Sequence, residues 1–342
     1  MEVHISTQLS ISNVEALRFY AQFADVVVLA RELNLNQVKD IYETILRDGI
    51  KGPSGKLVRI EMFAHGALCM AISGKCYLSL QTYGASANRG ACYQLCRRGY
   101  EVTDLETGNS LNIDNKYIMS PKDLCTIEFM DKIIDAGVKV FKIEGRARSA
   151  EYVKRCAQCY RQAADAVCDG TYIPELAASL KAELSEVFNR GFWDGYYQGA
   201  RLGEWSAVYG SSATRKKVYC GKVTNWFDRI GVAEIAVESV PLKVGAHCMA
   251  TGATTGVIEF TVNDLRVALK PAEEAVKGVR CSVAIVPENP GVRDGEVEIT
   301  PAPGDVSAGD SVESRAGASV NAEGKIPVRL RRGDKIYIWE DC

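Results

Sequence analysis

The fold class predicted is an α/β domain followed by a small antiparallel β-barrel, and three observations predict it. Apolar strand-like runs alternate with amphipathic helical segments through the first part of the chain, the pattern of a parallel sheet or barrel. From Val218 onward the helical period disappears, and β-branched residues alternate with Gly and Asp turns. A Gly-, Pro- and Asp-rich stretch, about residues 287–324, interrupts that second part as a long loop. With 342 residues there is room for two domains, 1–209 and 210–342, each with its own core.

The elements follow in order. "EVHIST" reads as a short strand, and "NVEALRFYAQF" as a helix with Asn13 at its N-cap. "DVVVLA" is a near-continuous apolar run, as in a parallel strand covered on both faces. "LNLNQVKDIYETILRDG" is the next helix, ending at Gly49, and "VRIEMFA" is the third strand. In "SPKDLCTIEFMDKIIDAG" the pattern predicts a helix with Ser120 as N-cap, Pro121 at its first position and Gly137 at its end. "VKVFKIEG" is the fourth strand, and "SAEYVKRCAQCYRQAADAVCDG" the long helix after it. In the second domain "RRGDKIYIWE" reads as the closing strand.

Composition excludes several classes of function. The net charge of −2 gives no global basic field, so any nucleic-acid contact must rest on local patches. No apolar run reaches the ~18 residues of a membrane span, and "MEVHISTQLS" carries no secretion signal. Twelve cysteines in such a chain argue for reduced thiols in the cytoplasm rather than for a disulfide framework. Some are expected to be plain core residues, since free Cys is among the most buried types.

In parallel αβ barrels the chemistry gathers where strands end, and here every strand end is polar. The first offers His4 and Gln8, the second Arg31 and Glu32. The third carries Glu61 and runs into His65, and the fourth ends in Lys142, Glu144 and Arg146. Each alone reads equally well as a solvated charge or a cap; together, on one side of one sheet, they favour a site. Glu61, His65 and Glu144 are the candidates for proton transfer. His4, Gln8, Arg31, Glu32, Lys142 and Arg146 are the candidates for binding substrate, and of these Arg31, Lys142 and Arg146 suit an anionic substrate or an RNA phosphate.

Between the third and fourth strands come Cys69, Cys76, Cys92, Cys96 and Cys125. Their dispersed spacing is not that of a zinc site, and the close pair Cys156/Cys159 lies inside a helix with an ordinary amphipathic face. A Cys–His nucleophile using His65 and a soft iron–sulfur centre on dispersed thiolates both stay open on spacing alone.

The stretch "EMFAHGALCMAISGKCYLS" closely resembles the signature of the U-32 peptidase family, the collagenase-like proteases. The resemblance continues in "STQ", "LARE", "NRGAC…CR", "SPKDLC", "KIEGR" and "FNRGFWDGYY", and so covers nearly all of the first 200 residues. Its better-understood relatives hydroxylate RNA, making 5-hydroxyuridine in tRNA or a hydroxycytidine in ribosomal RNA with prephenate implicated, or hydroxylate ubiquinone anaerobically. The resemblance implies a 4Fe-4S cluster on Cys69, Cys76, Cys92 and Cys125, with Cys96 as a substitute. It also likens the second domain to the second domain of translation elongation factors.

Family members open with four strands ahead of those found here. The resemblance therefore implies the C-terminal half of a TIM-like (β/α) barrel, its other half lying in a second chain or in sequence missing from this one. An open half-barrel leaves strand edges in need of a partner.

Three functions are in competition. The leading one is iron–sulfur-dependent, prephenate-dependent hydroxylation of tRNA in the cytoplasm, with no membrane involved. The second is a collagenase-like peptidase, although neither HExxH nor GxSxG is present. The third is a non-catalytic RNA-binding or assembly protein. Trp226 and Phe227 of the second domain are candidates for stacking on RNA, with burial in the barrel core as the plainer account.

Overall fold

The computed structural model of the chain describes residues 2–101, 103–108, 119–287 and 329–342. Apart from Pro287, the long loop expected at 287–324 lies outside the described residues. The chain divides into two compact units, Met1–Ala213 and Thr214–Cys342.

The first unit is built on parallel strands. β1 (His4–Ile5) pairs with β2 (Val26–Val28), with helix α1 (Val14–Tyr20) between them. Asn13 caps α1 by accepting from Ala16 N–H at 2.9 Å, as its sequence position predicts. Helix α2 (Leu35–Asp48) opens on a reciprocal capping box between Asn34 and Gln37 and stops at Gly49, which is left-handed at φ 60°. β3 (Arg59–Ala67) pairs in parallel with β2, then with β5 (Val138–Glu144) on the opposite edge. These four strands are the four that the hydrophobic pattern predicts.

The segment between β3 and β5 differs from expectation. It holds a short helix α3 (Leu78–Tyr83) and then β4 (Asp123–Cys125), which lies antiparallel to the end of β3. Helix α4 (Met130–Asp135) starts well after Ser120 and Pro121, which do not cap it. Instead the Arg97 guanidinium donates to Ser120 Oγ at 3.1 Å and to the Pro121 carbonyl. The Ser-Pro pair looks locally like a helix start, but side chains distant in sequence claim these groups. α4 does end at Gly137, where φ is +89° and a Cβ would collide with the Tyr42 ring. Helices α5 (Ala150–Cys168) and α6 (Pro174–Ser185) follow, and β6 (Phe192–Trp193) completes the sheet beside β4.

The core is the apolar sandwich this order implies. Val26, Val27 and Val28 are fully buried, and Val38, Ile41 and Ile45 of α2 supply one helix stripe over the sheet. Burying such side chains contributes about 1.5–3 kcal/mol each. Cys156 and Cys159 of α5 are buried in the same core, in keeping with a structural reading of that pair.

The second unit is antiparallel throughout its main sheet. Its strands are β7 (Arg215–Phe227), β8 (Val232–Val237), β9 (Leu242–Lys243), β10 (His247–Gly252), β11 (Gly256–Thr261), β12 (Leu265–Val267), β13 (Lys270–Pro271), β14 (Glu274–Ala275), β15 (Arg280–Ala284) and β16 (Lys335–Asp341). Eight of them pair in the order β11-β10-β16-β7-β8-β15-β12-β13, and β14 pairs with β9. Trp226 packs against this core, whereas Phe227 is exposed. Among the described residues no helix is long and apolar enough to cross a membrane.

Candidate functional site

Glu61 is the centre of one constellation. It is 3% exposed, yet its two carboxylate oxygens are both claimed: His4 Nδ1 lies 2.5 Å from Oε2, and Lys142 Nζ lies 3.1 Å from Oε1. A buried carboxylate needs such partners, because desolvation otherwise penalises its charge. Phe63, two residues along β3 and so on the same face, carries the Arg31 guanidinium 4.1 Å above its ring and Lys142 Nζ at 5.4 Å. Arg31 Nη1 reaches the Ala67 carbonyl at 3.5 Å, while its Nε is buried with no hydrogen-bond partner among the described residues. The strands thus bring His4, Arg31, Glu61 and Lys142 together, and β5 adds Glu144 to their face through its register with Gly66. The Glu144 carboxylate is turned aside, accepting from Arg146 N–H at 3.0 Å.

His65 requires a correction. The register of β3 against β5 slips between Phe63 and His65, and that extra residue turns His65 to the opposite face of the sheet. There it is 1% exposed, with its ring between Tyr152, Tyr160 and Phe192, away from Glu61. Its Nδ1 is 3.3 Å from Tyr160 Oη. Burial, with the nearby Arg148 charge, pushes its pKa down from 6.5 to about 3, so the ring is neutral and unsuited to proton transfer near pH 7. The sign of the pH dependence follows. Unfolded His65 takes up its proton near 6.5 and folded His65 only near 3, so its stabilising effect is complete above 6.5 and lost as pH falls toward 3. Urea unfolding between pH 7 and 4 is expected to weaken by up to about 1.4 kcal/mol per pH unit. His65→Phe, which retains a ring in the pocket, should flatten that slope; an unchanged slope would assign the acid sensitivity to other groups.

The cysteines sort into two groups. Cys69 and Cys92 are exposed and Cys76 and Cys96 partly so, all in the loops that follow β3. The Cys96 thiol is pushed up chiefly by burial, and Cys69, Cys92 and Cys76 each add to that rise as neighbouring negative charges. Cys69, Cys76 and Cys92 are thus within electrostatic reach of Cys96. Cys125 does not join them. It lies on β4 opposite His65, 3% exposed, and receives the Tyr160 hydroxyl at 3.8 Å. Its charge is felt instead by Cys156 and Cys159, and burial holds its own pKa at about 11. Cys96, rather than Cys125, is therefore the cysteine within electrostatic reach of Cys69, Cys76 and Cys92. Among the described residues no three His, Cys, Asp or Glu side chains close into the shell of a single metal ion.

Gln8 links the strand ends to this loop. Beyond β1, Ser6 caps a 3₁₀ turn over Thr7–Leu9, and from it Gln8 Nε2 donates to Asn88 Oδ1 at 2.7 Å. Gln8 also lines Gly74, where φ is +77° and an added Cβ would press on its side chain. Glu32 and Arg146 are exposed and stay outside the Glu61 constellation.

Sequence reasoning missed a buried ion network beside the thiols. Asp123, 1% exposed, faces Arg148 Nη2 at 3.4 Å and Arg190 Nη1 at 3.3 Å, both guanidiniums being nearly buried. Arg190 also donates to Gln94 Oε1 at 3.3 Å, between Cys92 and Cys96 in sequence. Arg97 donates to the Leu68 carbonyl at 2.6 Å, one residue before Cys69, and so ties both cysteine-bearing stretches to the β4 segment. Only the pairing of basic residues with "SPKD" across sequence would have signalled this, and spacing does not show it.

Comparison with known proteins bears on what this arrangement is for. The chain is 60% identical over 285 residues to a protein named collagenase from Porphyromonas gingivalis, covering 83% of this chain and 69% of that one. It is 38% identical over 214 residues to the 23S rRNA 5-hydroxycytidine C2501 synthase of Escherichia coli, covering 60% of this chain and 31% of that one. It is 33% identical over 232 residues to tRNA hydroxylation protein P1 of Bacillus subtilis, covering 66% of this chain and 52% of that one. The profile of peptidase family U32 matches residues 1–207, the part that carries both the Glu61 constellation and the four thiols. The chain belongs to peptidase family U32.

Proposed function

We propose that this protein is an iron–sulfur hydroxylase of RNA bases, acting on tRNA to form 5-hydroxyuridine. The observation that carries the reading is the placement of Cys69, Cys76, Cys92 and Cys96, all at least partly exposed, in the loops after β3, with the first three within electrostatic reach of Cys96. Soft thiols suit iron–sulfur groups better than hard cations. These four would hold a 4Fe-4S cluster, which when bound supplies the electron transfer or oxygen-atom delivery that side chains lack. Arg97 puts positive charge beside Cys96 and opposes the rise that burial imposes on its thiol.

The chain's own residues do the rest. Glu61, held between His4 and Lys142, gives or takes the proton at its carboxylate. Arg31 and Lys142, on the face shared with Phe63, orient an anionic co-substrate, for which prephenate is the candidate. On this reading the protein works in the cytoplasm with tRNA as its partner. Glu61→Gln should lower hydroxylation by about 10²- to 10⁴-fold while leaving iron content unchanged. Activity retained in that variant would reduce Glu61 to a structural ion pair.

Peptide cleavage is the second reading, favoured by the two relatives named collagenase at 60% and 54% identity. A cysteine nucleophile needs a base on its thiol. Here His4 pairs with Glu61 and Glu2, and His65 with Tyr160, so among the described residues neither His4 nor His65 is placed as the base of a cysteine. Mass spectrometry of nucleosides from tRNA and ribosomal RNA, with and without this gene, decides between them. Loss of a hydroxylated pyrimidine supports the hydroxylase; an unchanged nucleoside profile with loss of gelatin cleavage would overturn it.

A further inference from the structure

We infer that Tyr83, Tyr93 and Arg98 form a stacking platform for an unpaired base of single-stranded RNA, next to the four thiols. The inference rests on the RNA-hydroxylase reading and gives that reading a binding surface.

Tyr83 is the last residue of α3, and Tyr93 is tied to the same helix because its N–H donates to the buried Ser79 Oγ at 3.0 Å. Their ring centroids lie 5.2 Å apart with planes inclined at 57°, so neither ring covers the face of the other. Both remain more than half exposed, at 51% and 59%, and Tyr77 at the other end of the helix is 70% exposed. Aromatic side chains normally bury large apolar areas, and three left open on one short segment are a surface awaiting an occupant. The Arg98 guanidinium donates to Tyr83 Oη at 3.1 Å and lies 5.8 Å from its ring, so charge and aromatic face are held together.

The charge of the segment selects the occupant. From Met62 to Tyr100 there is no Asp or Glu, while Lys75, Arg89 and Arg98 are all exposed. Local positive charge interleaved with open aromatic rings is what a single strand needs: cations for phosphates and rings for bases. A duplex hides its base faces and would not use the rings. The placement is also functional. Tyr77 follows Cys76 directly and Tyr93 follows Cys92 directly, so a base stacked here lies beside the thiols.

The test is fluorescence anisotropy of the full chain with a fluorescein-labelled oligouridylate of about ten nucleotides, within the site size of single-strand binders. Tyr83→Ala and Tyr93→Ala should each weaken binding by about 5- to 100-fold, the range for loss of one stacking ring, whereas Tyr93→Phe should retain it within about twofold. Arg98→Gln should weaken binding and reduce the number of ions released by about one. The oligonucleotide annealed to its complement should bind more weakly than the single strand. Wild-type binding that survives in both alanine variants overturns the platform and leaves the hydroxylase reading standing. A wild-type chain that binds no single-stranded RNA overturns both. If a Pro- and Gly-rich peptide binds instead, and loses affinity in the same variants, the platform belongs to peptide recognition and the inference fails.

Discussion

Cys96→Ser is expected to strip the protein of iron, while Cys125→Ser leaves iron content near that of the wild type. Burial sets this contrast, for Cys125 is buried and Cys96 is partly exposed. Cys96 feels the charges of Cys69, Cys76 and Cys92, whereas Cys125 sits in the core with Cys156 and Cys159. A serine oxygen is a harder and far less acidic donor than a thiol, and it holds iron poorly. Changes in the outer shell of a metal site already cost about 10–100-fold in affinity, so loss of a direct ligand is expected to cost at least as much. The measurement is iron and acid-labile sulfide per chain after anaerobic purification, alongside the nucleoside profile. Cys69→Ser, Cys76→Ser and Cys92→Ser should fail together with Cys96→Ser, which separates a ligand set from a single nucleophile. Iron lost from Cys125→Ser and retained in Cys96→Ser would restore the ligand set implied by family resemblance. Normal iron in all five variants would remove the cluster from this protein.

That contrast also shows where the sequence stops being legible. Local signals are read correctly: Asn13 and Gly49 bound their helices because a side-chain cap and a left-handed turn act within a few residues. The four parallel strands are readable because β-branched apolar runs such as Val26–Val28 have one stable place, in the middle of a covered sheet. The failures are all non-local. His65 changes face because of one extra residue in β3, which no alternation pattern reveals. Ser120 and Pro121 imitate a helix start, but Arg97 and Asp123 pull that segment into the sheet. Among five cysteines at irregular spacing, choosing four is a question of where loops fold back. Glu61 was legible as a polar residue in an apolar strand, although its partners His4 and Lys142 became visible only once the strands were aligned.

Asp123→Ala is expected to destabilise the first unit strongly. Asp123 is the carboxylate partner of both Arg148 and Arg190, and all three side chains are almost entirely withdrawn from water. Removing one member of a buried ion network leaves the others charged, desolvated and unpaired, at a cost of about 3–5 kcal/mol. The Arg148 guanidinium lies 4.0 Å from the Phe188 ring and that of Arg190 lies 5.0 Å from it, and this contact replaces little of what a carboxylate supplies. Glu183→Ala is the comparison. It removes a carboxylate from Arg155, but that glutamate is 40% exposed, so a loss within about 1 kcal/mol is expected. Urea or thermal unfolding of the two variants measures the difference, and equal losses would mean that water reaches Asp123. The effect should extend to the thiols, because Arg190 holds Gln94 between Cys92 and Cys96. Arg148 and Arg190 share the Asp123 carboxylate, and among the described residues Arg97 donates to two carbonyls and a hydroxyl. Negative charge supplied by the four thiolates would relieve that imbalance. Iron-loaded protein is accordingly expected to unfold at higher urea than iron-free protein, and Asp123→Ala to lose iron faster on exposure to chelator. Equal stability of the two forms would show that the arginines answer to Asp123 alone.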